Sequence, residues 1–188
     1  LTIFFSGYGR IHTSGQSSAD NGYVSGGTSN NYEKSVDKFP FSSDANATDM
    51  GDLIETLNTT AGQSSADNGY VSGGKNASAG SIDVNIIQKF PFASDSNATD
   101  VGDLTLARYN ASGQSSSTNG YTSGGGSPTG PTNIIDKFPF SSDSNATDVG
   151  DLSSTNYQSN LAGSSSTTSG YAVAQEGIDK FSFSSVVQ

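Results

Sequence analysis

The chain contains no cysteine and no tryptophan, and only one histidine and one methionine, in 188 residues. The missing cysteine removes disulfides, thiolate metal centres and thiol catalysis together. Basic residues are also few: 8 Lys and Arg stand against 18 Asp and Glu, giving a net charge of −10. Neutralising a phosphate backbone takes clustered Lys and Arg, so no nucleic acid is expected as a partner, nor an anionic membrane surface. No run of about 18 apolar residues is present to cross a bilayer, so no membrane insertion is expected. Helical signal is nearly absent, because no long stretch carries apolar residues at a 3.6-residue spacing. The opening LTIFFSGYGR has neither an initiator Met nor a basic segment ahead of a long apolar one. It reads as a mature piece, or part of something longer.

What the chain does have is repetition. GQSSADNGYVSGG occupies residues 15–27 and returns unchanged at 62–74. It relaxes to GQSSSTNGYTSGG at 113–125 and to GSSSTTSGYAVAQ at 163–175. A second marker, KFPF, begins at Lys38, Lys89 and Lys137, with the variant KFSF at Lys180. The spacing predicts one domain over 1–188, made of four units of about 47–51 residues at roughly 1–52, 53–103, 104–151 and 152–188. Each unit should be all-β. NGYVSGG predicts a strand closed by a turn, with a further strand just before it. Residues 133–138 (NIIDKF) predict another, whose proline must lie at a strand end, an edge or a bulge because it cannot donate to a ladder. A last strand is expected from the Leu of GDL onward, as in Leu104–Tyr109.

Three to four short strands at a period near fifty is the sequence mark of a β-propeller blade. The strand ending in a glycine pair (Tyr23–Gly27, Tyr70–Gly74, Tyr121–Gly125), then a variable loop and an aromatic strand, resembles the kelch repeat. The kelch Trp is absent, and a Phe of KFPF would stand in its place. The form with KFPF and NATD-GDL is similar to kelch-like repeat proteins of tailed phages of marine bacteria. The resemblance implies a β-propeller-like fold; an open β-solenoid or fibre-forming stack of repeats is the alternative. The last unit stops at KFSF without a NATD-GDL segment, and the first begins without one before it. An N-terminal strand completing the last sheet would close the ring and remove exposed edges.

Three sets of residues invite a site. The acidic half of the seventeen-residue stretch DKFPFSSDANATDMGDL places oxygen-bearing side chains at alternate positions, as calcium loops do. The candidate ligands are Asp44, Asn46, Thr48 and Asp52; Asp95, Asn97, Thr99 and Asp103; and Asp143, Asn145, Thr147 and Asp151. The same side chains equally suit turns in which Asp and Asn bond nearby backbone amides. Asn46, Asn58, Asn76, Asn97, Asn110 and Asn145 each begin an Asn-x-Ser/Thr tripeptide, the N-glycosylation acceptor pattern. The Phe-Pro-Phe rings send both aromatics to one face, for packing between units, with a ligand platform as the alternative, and the Lys before them is a snorkelling or edge-protecting charge.

Catalytic signatures are missing: His12 has no repeat counterpart, and no Gly-x-Ser-x-Gly elbow accompanies it. The expectation is therefore a non-enzymatic structural or adhesive module on an extracellular or virion surface, with no cofactor apart from the calcium just considered. Its unit-specific loops, 28–36, 75–85 and 126–133, would meet a glycan or protein receptor, or neighbouring structural subunits. A purely architectural filament or sheath subunit and a carbohydrate-active enzyme are the alternatives.

Overall fold

The computed structural model describes residues 9–29, 32–154, 161–174 and 177–184. Every regular element in them is a β-strand, and the four main sheets are antiparallel meanders. Sheet I runs β1 (Ser14–Ser17), β2 (Asn21–Ser25), β3 (Ser35–Pro40) and β4 (Thr48–Asp52) in sequence order. A short β5 (Leu57–Asn58) follows. Sheet II comprises β6 (Ala61–Ser64), β7 (Asn68–Ser72), β10 (Ile86–Pro91) and β11 (Thr99–Asp103), with β8 (Lys75–Asn76) and β9 (Ile82–Asp83) in its long loop. Sheet III comprises β12 (Ser112–Ser115), β13 (Asn119–Ser123), β16 (Ile134–Pro139) and β17 (Thr147–Asp151), with a small hairpin of β14 (Gly126–Ser127) and β15 (Gly130–Pro131). Sheet IV has three strands among the described residues: β18 (Ala162–Ser165), β19 (Ser169–Ala174) and β20 (Gly177–Ser182).

The local reasons repeat from sheet to sheet. Ser18 Oγ accepts hydrogen bonds from the Asp20 and Asn21 amides, turning β1 into β2. The glycine pairs that close β2, β7 and β13 all take positive φ, as Gly26 (60°) and Gly27 (101°) do. Pro40, Pro91 and Pro139 are each the last residue of their strand, where a missing donor costs least. A register shift separates the halves of β3, β10 and β16, and opposite it lies a glycine such as Gly102, at φ 146°. A Cβ there would sit 2.5 Å from the Ser144 carbonyl of the next sheet.

The expected strand at Leu104–Tyr109 is not formed. The last strand of each sheet comes earlier, at Thr48–Asp52, Thr99–Asp103 and Thr147–Asp151. Leu104 instead drops out of the strand and into the core, donating its amide to the Asn85 carbonyl. The acidic loop thus joins two strands of one sheet, and the chain passes to the next sheet through segments such as 53–60.

Apolar burial lies between sheets. Tyr23, Val36, Met50 and Leu53 of sheet I and its exit pack on Val71, Phe90 and Ala98 of sheet II. Tyr70, Ile87, Val101 and Leu104 meet Phe138 and Ala146 of sheet III, and Tyr121, Ile135 and Leu152 meet Ala172 with Phe181 and Phe183 of sheet IV. At each seam one tyrosine lies on two phenylalanines of the next sheet. Tyr23 stacks on Phe92 at 4.5 Å, Tyr70 on Phe140 at 4.8 Å and Tyr121 on Phe183 at 4.7 Å.

The first strands of the sheets stand side by side, backbone against backbone. A Cβ on Gly62 would lie 2.4 Å from the Gly15 carbonyl oxygen, one on Gly113 2.1 Å from that of Gly62, and one on Gly163 2.1 Å from that of Gly113. Glutamines reinforce this row: Gln16 Nε2 donates to the Tyr70 carbonyl, Gln63 to that of Tyr121 and Gln114 to that of Tyr171.

Candidate functional site

Antiparallel meanders place all β1–β2-type turns and all acidic loops at one end of the molecule, and the longer β2–β3-type loops at the other. The two ends differ in character. At the first end the units are near copies. Lys38 Nζ reaches Asp95 at 2.6 Å and Lys89 Nζ reaches Asp143 at 2.5 Å, each from one sheet to the loop of the next. The Asp52 amide donates to Asn97 Oδ1 at 3.0 Å, and the Asp103 amide to Asn145 Oδ1 at 3.1 Å.

These contacts give the proposed calcium ligands their positions. Asp95, Asn97, Asp143 and Asn145 clip adjacent sheets together, while Asp44 and Asn46 are exposed in the corresponding loop of sheet I. Thr48, Thr99 and Thr147 open the last strands of sheets I to III, and Asp52, Asp103 and Asp151 close them. No group of three or more acidic or histidine side chains is gathered to hold a metal ion among the described residues. The Lys of KFPF, read from sequence as a snorkelling or edge-protecting charge, is an inter-sheet clip at Lys38 and Lys89.

At the other end each unit differs. In sheet I, Thr28 bridges both Ile11 and Tyr32, and Ser29 Oγ donates to Glu33 Oε1 at 2.7 Å. In sheet II the loop becomes a hairpin, with β5, β8 and β9 forming their own three-stranded sheet. Lys75 pairs with Asp83 at 2.5 Å and lies over the Tyr109 ring at 3.7 Å. In sheet III the loop shrinks to the β14–β15 hairpin, and Tyr109 exchanges both backbone hydrogen bonds with Gly126 at 2.9 Å. Tyr109 therefore joins the loops of sheets II and III. Exposed apolar side chains gather in this half: Ile11 (59%), Tyr32 (48%), Ile54 (47%) and Ile82 (58%).

Near the row of first strands, the same end carries strained backbone. His12, Thr59 and Asn110 occupy the same place in three units and take φ of 59°, 56° and 54°. For the β-branched Thr59 such a φ is a genuine outlier. The Thr59 amide donates to the His12 carbonyl at 2.9 Å and the Asn110 amide to the Thr59 carbonyl at 2.8 Å, which holds the three in file. They line a recess of about 120 Å³ with Thr13, Thr60, Ala111 and Leu161. Strain of this kind concentrates at functional positions, and nothing in the residue pattern marked it.

Sequence reasoning also missed the buried ion pair below this end. Arg108 and Asp136 are both fully buried, and the guanidinium also donates to the Ile134 and Thr122 carbonyls. Burial pushes the Arg108 pKa down from its ordinary value, and Asp136 works against that shift. Sheet I repeats the arrangement with Arg10 and Asp37. Sheet II replaces both partners, having buried Leu57 and Gln88 at the same repeat positions. The signal was in the sequence as a paired change, Arg with Asp or Leu with Gln.

No protein-family model matches the chain, and no curated protein does. A solved structure described as "Structure of YjhT" is similar in fold, with a TM-score of 0.72 at 15% sequence identity. The likeness covers 96% of this chain and 68% of that one.

Proposed function

We propose that the chain is a non-enzymatic structural or adhesive module of an extracellular or virion surface, built as a β-propeller of kelch-like blades. The observation that carries this reading is the contrast between its two ends. The glutamine and tyrosine-on-phenylalanine contacts recur at all three seams, whereas the loops over 28–36, 75–85 and 126–133 differ in length, pairing and surface. A constant scaffold with one varied face is how binding surfaces are commonly arranged. The exposed Ile11, Tyr32, Ile54 and Ile82 beside Ser, Asn and Thr suit a glycan or protein receptor that offers both apolar and hydroxyl groups. The propeller reading draws on the side-by-side row of first strands and on the fold likeness over 96% of the chain.

The test is loop exchange. Residues 75–85 are replaced by the shorter 126–133 segment, and binding to a glycan array and to candidate host cells is compared with that of the parent. Loss or change of binding with an unchanged melting midpoint supports the reading. Binding that ignores exchange of all three loops overturns it. The second reading, a purely architectural subunit, is favoured if no receptor binds and the loops are needed for polymerisation in solution.

A further inference from the structure

The two end sheets carry matching, unfilled halves of the contact that the chain makes three times within itself. On sheet IV the forward face is bare among the described residues. Ile178 is 67% exposed, while its counterparts Val36, Ile87 and Ile135 are no more than 1% exposed. Tyr171, unlike Tyr23, Tyr70 and Tyr121, has no phenylalanine against it among the described residues. The first strand tells the same story: all four residues of β18 are exposed, whereas β6 and β12 alternate buried and half-buried.

On sheet I the backward face is bare among the described residues. Phe41 is 55% exposed, and Phe39 and Phe41 touch only each other among the rings. Ala47 is exposed where Ala98 and Ala146 are buried, and Val24 is half-buried where Val71 and Thr122 are 0% exposed. A Cβ on Gly15 would find nothing closer than 4.0 Å, although the other three first-strand glycines are pressed against a neighbour.

We propose that these faces receive further units of the same repeat, entering as one polypeptide segment that runs from sheet IV round to sheet I. The chemistry of the occupant is fixed by the interior seams. It brings a Phe-x-Phe strand under Tyr171 and an acidic loop to Lys180, as Asp95 and Asp143 come to Lys38 and Lys89. At its far end it lays a tyrosine on Phe39 and Phe41 and a lysine on Asp44. A second copy of the chain is too large for this place. The fold likeness leaves 32% of the YjhT chain without a counterpart (100 − 68), under half the share that four units occupy. The segment is accordingly about two units long. The inference rests on the ring reading of the fold and is independent of any receptor.

The experiment extends the chain with its own repeat. After Phe183, residues 184–188 are replaced by one, two or three copies of residues 93–140, which continue in register from Phe92 to Phe140. The expected result is a melting midpoint that rises by roughly 5 °C or more with two copies and not further with a third. In the two-copy chain Phe41→Arg abolishes most of that gain, while in the 188-residue chain the same change is silent. A midpoint that climbs equally with every copy, with Phe41→Arg silent throughout, means an open stack and sinks the ring reading along with the inference. No rise at any copy number overturns the inference alone. So does a concentration-dependent dimer of the 188-residue chain that Phe41→Arg dissolves, since a second copy would then fill the faces.

Discussion

Arg108 and Asp136 lie wholly out of water, yet the neighbouring sheet manages the same position with Leu57 and Gln88. Removing one partner of a buried pair strands the other charge, which costs about 3–5 kcal/mol. Arg108→Leu alone should therefore lower stability by that amount in chemical denaturation. Arg108→Leu with Asp136→Gln reproduces the sheet II pair and should restore most of the loss. The first-strand glycines give a second contrast. Gly113→Ala drives a methyl against the Gly62 backbone and should cost roughly 1–3 kcal/mol by overpacking, whereas Gly15→Ala should be nearly neutral. Tyr70 and Tyr121 add a pH dependence. Burial raises the pKa of both hydroxyls. Since the folded pKa lies above the unfolded one, their contribution is intact below pH about 10 and fades as pH climbs past it. The melting midpoint should thus stay level to about pH 9 and fall above pH 10, less steeply in the Tyr70→Phe, Tyr121→Phe double variant.

The elements divide into those whose residues announce them and those whose residues do not. The NGYVSGG strand and the strand ending in KFP carry alternation and clear stops, and both formed where expected, within a residue or two. The last strand was misplaced because TDMGD and TDVGD show one apolar residue among acids and a glycine. Its inner face is a single side chain, Met50 or Val101, and its outer face is solvent, so periodicity has almost nothing to register. The acidic loop was read as a turn or a calcium site. The turn is there, but its purpose is inter-sheet clipping, which depends on contacts 42 to 57 residues away in sequence and is invisible to local pattern. Because Asp95 and Asn97 are already engaged by protein groups, excess EDTA is expected to leave the melting midpoint unchanged. A drop of several degrees, recovered with Ca²⁺, would support the calcium reading instead.

At the scale of the molecule, period and strand content pointed to a repeated all-β chain, and the structure is all-β with four repeated sheets. How successive sheets sit against one another is set by the Tyr-on-Phe contact and the glycine row between them, not by any one unit's composition. The proposed N-terminal strand, residues 1–5, lies outside the described residues.

All three seams share the glutamine-to-carbonyl hydrogen bond and the tyrosine-on-phenylalanine contact, so one unit's forward face is built like another's. Length can consequently change by whole periods without a new interface being invented. Deleting residues 62–112, which joins Ala61 to Gly113, should give a shorter chain that still melts cooperatively. Removing about half a period instead, such as residues 62–85, takes away β6 and β7 and joins Ala61 to Ile86, and should give one that does not, with circular dichroism melts as the readout. Such a chain is open to growth and shrinkage by unequal exchange between its own near-identical segments, while each loop at the varied end drifts independently of the rest.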